Sequence, residues 1–302
     1  MWELIANIFL GLNLIAAPIK AWPFITMVND SQVKIEVASL QNDAKVPQKK
    51  DLHNWGVKIS AKSAAVLDID SNTVLWQKNG DEQRSIASIT KLMTMLVFLE
   101  HKPAWGTEIT MEASDEVSGA IPNVLRGEKV TVNDLFHAAL IASDNNAVNA
   151  LVRSTGIEKD DFVDLMNKKA LALGLQKTVF ADVTGLTDDN RSTAKEVLQF
   201  AKIALANSDI VQVAEKKVYN FTDQNNKNHK IVSTNKLLDS YLNIVAGKTG
   251  FINAAGYCLV SEAKGEQGQK IIGVVLGSDT HDGRFVDLKI LLAWTLENFS
   301  WF

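Results

Sequence analysis

Ser88-Ile89-Thr90-Lys91 opens a mostly apolar run, Leu92 to Leu99, that contains neither Gly nor Pro. Apolar residues at 92, 95, 96 and 99 follow helical spacing, which predicts a buried helix with Ser88 at its first turn and Lys91 one turn on, sharing a face. A serine at a helix N-terminus has free backbone N–H groups and the positive end of the macrodipole beside it. A lysine three residues on is placed to take its proton, the arrangement of an activated serine nucleophile with a lysine base. Ser-X-X-Lys alone is a weak signal: it starts at Ser31, Ser88, Ser192, Ser233 and Ser261.

Two further polar triplets follow in order, Ser143-Asp144-Asn145 and Lys248-Thr249-Gly250. At roughly one in twenty per residue type, a specified tripeptide occurs by chance in about 4% of chains of this length, and two together in about 0.2%. Their contexts differ: the first motif opens a helix, the second lies between helices, and the third is expected just before a strand.

The elements that must position them can be read in outline. Ser63 to Ile69 and Thr73 to Gln77 are strand-like runs around Asp70-Ser71-Asn72, a hairpin. The middle is helical: Thr131 to Asp134 has the form of a capping box, and Ala147 to Val152 continues as a helix. Asp160 to Leu173 is a helix stopped by Gly174, and Thr193 starts another through Ala206. Strands return at Ala255 to Ser261 and Lys270 to Leu276, before a closing helix at Phe285 to Phe299. Strands at both ends with helices between predict an α+β fold: an antiparallel sheet from the two chain ends, flanked by helices and interrupted by an inserted all-helical subdomain.

Residues 1–28, with apolar Leu4 to Ala17, read as a signal peptide or N-terminal membrane segment, although Glu3 stands where a basic head is usual. Residues 29–56 turn polar and read as a linker, leaving 57–302 as the folded domain. The net charge of −4 gives no long-range attraction to nucleic acid. The single cysteine, Cys258, sits in a strand-like run, and the five histidines match no metal-ligand spacing, so neither a metal nor another cofactor is expected.

The three motifs resemble the signature set of penicillin-binding proteins and serine β-lactamases. With Phe180-Ala181-Asp182-Val183-Thr184-Gly185-Leu186, Thr234-Asn235-Lys236-Leu237-Leu238 and the run from Gly247 to Tyr257, the chain resembles the low-molecular-mass D-alanyl-D-alanine carboxypeptidases from about Val57 to Phe302. The resemblance implies a β-lactamase/transpeptidase-like fold and a serine-type carboxypeptidase or endopeptidase of peptidoglycan. Its substrates are stem peptides ending in D-Ala-D-Ala, and β-lactam antibiotics are covalent inhibitors. Ser88 is then the nucleophile, Lys91 the base, Ser143 a proton relay to the leaving amine, and Asn145 a contact to the substrate backbone. Lys248 and Thr249 suit the terminal carboxylate, Gly250 allows close backbone approach, and the N–H groups of Ser88 and Phe251 form an oxyanion hole. Lys248, together with burial, is expected to lower the pKa of Lys91. Action on such peptides implies a location outside the cytoplasm, secreted or attached to the membrane by the N-terminus.

Other readings are weaker. Asp144 stands where many of these carboxypeptidases have Gly and class A β-lactamases have Asp, but the chain has no Glu-X-X-Leu-Asn segment between the second and third motifs. A non-catalytic penicillin-recognising protein would be expected to lack a motif residue, and none is missing. Asn145 suits a helix cap as well as a substrate contact. Ser233-Thr234-Asn235 is a rival Ser-X-Asn, outside the helical region, and Gly247-Lys248-Thr249 fails as a phosphate loop because Leu242 occupies the position its first glycine needs.

Overall fold

The computed structural model describes residues 46–54, 56–117 and 122–302. The expected leader, and most of the expected linker, lie outside these residues. Among the described residues no helix is long and apolar enough to cross a membrane.

The centre is an antiparallel sheet of five strands. The first two, β1 (Ser63–Asp68) and β2 (Thr73–Lys78), form the predicted hairpin, and β3 (Ile244–Ile252), β4 (Gly256–Lys264) and β5 (Lys270–Ser278) come from the far end of the chain. The spatial order is β3-β4-β5-β1-β2, so β3 is an edge and β5 pairs with β1 to join the chain's two halves. Both faces are covered. Ala64 and Val66 of β1, with Ile271 and Val275 of β5, pack in one apolar cluster with the closing helix (Gly283–Asn298). Ala65, Leu67, Ile272, Val274 and Leu276 belong to the larger cluster on the helical side. The period of two therefore separates two buried faces, and β1 is buried along its whole length.

Between the two halves of the sheet lie α1 (Lys91–His101), α2 (Val132–Ile141), α3 (Asn145–Ser154), α4 (Lys159–Ala172), α5 (Ala194–Ala206) and α6 (Ser208–Ala214); the closing helix is α7. The α1 residues Lys91 to Phe98 are all buried, so α1 is a central helix with no solvent face in that stretch. Thr131 and Asp134 make the capping box of α2. Gly174, at φ 76°, stands just past α4, and Thr193 accepts from the Glu196 N–H to cap α5.

Three expectations need correcting. The insertion is not all-helical: Glu108–Thr110 pairs with Lys129–Thr131, and Val218–Thr222 with Asn228–Val232. These ribbons are two-stranded and lie beside the helices, where local alternation was too short to read. The folded domain also begins before 57. Gln48–Lys49 pairs with Phe299–Ser300, and the Lys50 N–H bonds to the Asn298 carbonyl, so residues of the polar stretch are held by the end of the chain. Finally, the third motif lies within strand β3 rather than ahead of it.

Candidate active site

The chain enters α1 through a tight 3-10 turn, Ala87–Thr90, which places Ser88 before the helix proper. Ala87 has φ 47°, a left-handed conformation costly for a residue with a Cβ. Two glycines hold this turn. A Cβ on Gly185 would lie 2.0 Å from the Ala87 carbonyl oxygen, and one on Gly250 would lie 2.9 Å from that of Ile86 and 3.1 Å from the Ser88 nitrogen. The close approach anticipated for Gly250 is thus toward the serine's own turn. This contact also brings the β3 backbone beside the Ser88 N–H.

Lys91 is fully buried and its Nζ has three partners: Ser88 Oγ at 2.9 Å, Asn145 Oδ1 at 2.6 Å and the Thr184 carbonyl at 2.6 Å. Burial lowers its pKa to about 7, against the opposing pull of the Asp182 and Asp144 carboxylates. A neutral amine in this cage keeps two N–H groups for Asn145 and Thr184 and turns its lone pair to the Ser88 hydroxyl. The arrangement can move the serine proton near neutral pH.

The Thr184 carbonyl is aimed by a segment that residue types alone do not reveal as part of the site. Asp182 Oδ1 accepts from the backbone N–H groups of Thr184 and Gly185 and from the Thr184 hydroxyl, and Oδ2 accepts from the Thr187 N–H. Burial works to raise the Asp182 pKa, but these donors outweigh it and the net direction is down. The signal available was Asp182-Val183-Thr184-Gly185, a short acidic side chain two residues before Thr and three before Gly, as in an Asx turn.

Ser143 sits between α2 and α3 at φ 61°, and its Oγ accepts from Lys248 Nζ at 2.8 Å. Asp144 is the cap of α3, accepting from the Ala147 N–H; its other oxygen takes the Asn123 N–H and side-chain amide. Asn145 is therefore the first residue of the helix and not its cap. With its carbonyl on Lys91, its amide NH2 points along the other branch.

Lys248 is also buried, and donates to the Thr249 carbonyl at 3.0 Å as well as to Ser143. Its pKa is held well below the usual lysine range, first by burial and then by the positive charges of Lys91 and Arg284. The expected cross-talk between the two lysines thus bears on Lys248, where it adds to burial, and not on Lys91, which burial lowers without it. The Thr249 hydroxyl shares a 2.6 Å hydrogen bond with that of Thr234. Arg284, buried in the first turn of α7, donates to the Gly250 carbonyl at 3.1 Å and lies against the rings of Tyr257 and Phe285. No motif pointed to it; a lone Arg beside Phe285 in an apolar helix was the only signal. The Phe251 ring is 45% exposed and stacks on Tyr257.

The structure thus gathers Ser88, Lys91 and Asn145 into one hydrogen-bonded group and Ser143, Lys248 and Thr249 into a second, with Gly250 closing the backbone against Ser88. Ser192 is buried against Thr178, and Ser261 against Asn235, so neither joins the cluster. A hydroxyl at a tight turn, a buried amine of near-neutral pKa and an outermost sheet strand beside them fit a serine hydrolase of the Ser–Lys type. Comparison with known proteins agrees. Residues 46–280 match the D-alanyl-D-alanine carboxypeptidase family, Peptidase S11. The chain is 35% identical over 233 residues to a D-alanyl-D-alanine endopeptidase of Haemophilus influenzae, covering 73% of this chain and 76% of that one. It is 31% identical over 246 residues to the D-alanyl-D-alanine carboxypeptidase DacF of Bacillus subtilis, covering 80% of this chain and 63% of that one. Penicillin-binding protein D2 of Listeria monocytogenes, solved in a cefotaxime-bound form, superposes with a TM-score of 0.71 at 29% identity, covering 80% of this chain and 98% of that one. The chain belongs to the D-alanyl-D-alanine carboxypeptidase family, and is a serine-type D-Ala-D-Ala peptidase.

Proposed function

We propose that Ser88 attacks the carbonyl of the penultimate D-Ala of a peptidoglycan stem peptide. Neutral Lys91 takes the hydroxyl proton as the Oγ–C bond forms. The oxyanion is met by the N–H groups of Ser88 and Phe251. As the C–N bond breaks, the leaving amine recovers a proton from Lys91, relayed by Ser143, and terminal D-Ala departs. Water then hydrolyses the acyl-enzyme. The peptide lies extended along the free edge of β3, its backbone contacted by the Asn145 amide and its terminal carboxylate held by Lys248 and Thr249. The observation that carries this reading is the Lys91 cage, with Ser88 Oγ, Asn145 Oδ1 and Thr184 O all within 2.9 Å of one amine.

The catalytic domain works outside the cytoplasmic membrane, the location of its cell-wall substrate, and the apolar stretch from Leu4 to Ala17 is its export signal or tether. β-Lactams acylate Ser88 because they present the same electrophile. Incubating the purified protein with a stem pentapeptide and with a cross-linked dimer, then weighing the products, tests the assignment. Loss of one alanine from the pentapeptide marks carboxypeptidase action, and conversion of the dimer to monomers marks endopeptidase action. Neither product appearing would overturn it.

A further inference from the structure

Away from the cleft, the ribbon Val218–Thr222/Asn228–Val232 packs its turn against the loop at 122–128. Glu128, Asp223 and His229 meet there, each more than nine-tenths buried. One potential donor atom from each lies within 4.8 Å of the others. His229 Nδ1 is 3.1 Å from the Asn123 carbonyl, an acceptor, so in the neutral ring this nitrogen carries the proton and Nε2 is left with the lone pair. The imidazole is held flat against Phe221, with centroids 4.6 Å apart and planes 6° from parallel. Nε2 faces Glu128 Oε2 at 3.5 Å and Asp223 Oδ2 at 3.9 Å.

Other contacts orient these groups without filling the space between them. Asp223 Oδ1 accepts the N–H groups of Asn225 and Lys227, while Oδ2 has no hydrogen-bond partner among the described residues. His229 Nε2 likewise has none. Glu128 pairs through Oε1 with the Lys227 ammonium and accepts the Leu125 N–H through Oε2. Three electron-pair donors thus converge in a buried space. A proton on Nε2 would leave both carboxylates beyond good hydrogen-bond range. An ion about 2.0–2.2 Å from each donor requires them roughly 3.3–3.5 Å apart; the His229–Glu128 pair stands at 3.5 Å, the His229–Asp223 pair at 3.9 Å, and all three donors lie within 4.8 Å of one another.

We propose that Glu128, Asp223 and His229 bind a divalent transition metal of the zinc class. One nitrogen and two carboxylate oxygens suit that class, and the Asn123 carbonyl on Nδ1 is the outer contact such a histidine uses. The ion would cross-link the ribbon to the loop. The Asn123 N–H and side chain bond in turn to Asp144, the cap of α3, so the cross-link reaches the helix that carries Asn145.

The test uses the full chain, stripped with chelator and titrated with Zn2+ alone. One zinc per chain should be retained by native mass spectrometry, with Tm rising by about 5 °C at a hundredfold excess over Kd. His229→Gln and Asp223→Asn should each weaken zinc affinity at least tenfold and remove the Tm rise. Asp223→Asn keeps the carbonyl that accepts from the turn, so it guards against a misfolded His229 variant. No zinc retention by the unaltered chain, or unchanged affinity in both variants, would overturn the proposal.

Discussion

The site has a helical wall and a sheet wall that each bury a lysine, and they treat it differently. On the helical wall, Lys91 is surrounded by oxygen: a hydroxyl, an amide carbonyl and a main-chain carbonyl in contact, with Asp182 and Asp144 near enough to favour its charge. On the sheet wall, Lys248 has a hydroxyl and a carbonyl, and its charged influences are two cations, Lys91 and Arg284. The first environment balances burial against carboxylates and leaves an amine that changes protonation near pH 7. The second leaves positive charge undercompensated until an anion arrives. One wall suits proton transfer, the other carboxylate capture.

The largest effect should come from removing the nucleophile. Ser88→Ala should abolish covalent labelling by a fluorescent penicillin, read on a gel, while Ser192→Ala and Ser261→Ala leave it intact. Labelling that survives Ser88→Ala would break the assignment of the helical wall. Lys91→Met keeps the volume and removes the base, and should slow acylation by about 10²–10⁴-fold.

Lys248→Met should act on capture. Loss of a charge-assisted contact lowers kcat/KM for carboxylate-ended peptides by about 10–100-fold. Because this substitution replaces a buried amine, whose charged form burial disfavours, by an apolar side chain of similar size, Tm should hold or rise. A large fall in Tm would show that the sheet wall depends on the charge for its fold.

Acidity sharpens the contrast further. Acylation should increase with pH through about 7 as Lys91 becomes neutral, then level off. The stability consequence has a definite sign. Between about pH 7 and the ordinary lysine value of 10.5 the unfolded chain binds a proton at this position that the folded chain does not, so stability rises with pH across that window. Thermal unfolding at pH 7 and 9 should show the rise, and Lys91→Met should reduce it. The smallest effect is expected at Asp144. Its replacement by Ala should cost about 1 kcal/mol through the lost side-chain cap, measured by denaturant unfolding, without shortening the lifetime of the penicillin adduct.

Much of this architecture was legible because local chemistry and tertiary role coincide. Ser88 and Lys91 share a face by helical spacing, the Thr131–Asp134 box starts α2, and β1 reads as a short, mostly apolar run because both sheet faces are covered. Strand β3 was harder to read. Gly247 and Gly250 remove side chains where the backbone must pass close to other groups, and Lys248 and Thr249 make polar contacts with Ser143 and Thr234 instead of packing in an apolar core, so the pattern that marks a strand is interrupted here. The Thr184 contribution is a backbone carbonyl, invisible to any reading of residue type. The Glu128, Asp223 and His229 cluster joins a loop to a distant ribbon, so no sequence spacing announces it.

The free edge of β3 also bears on how the protein behaves in concentrated solution. Unpaired strand edges invite pairing with other copies, and proteins commonly guard them with charge, bulges or cover. Here Ala246 to Gly250 are buried although the strand is outermost in its sheet, and Ser143 of the opposite wall bonds to Lys248 across the cleft. The same burial that leaves the proposed substrate an extended path along β3 keeps that edge from lying open to another sheet. On the proposed mechanism, then, substrate shape and protection against edge-to-edge pairing rest on one feature, and opening this side of the site should weaken both.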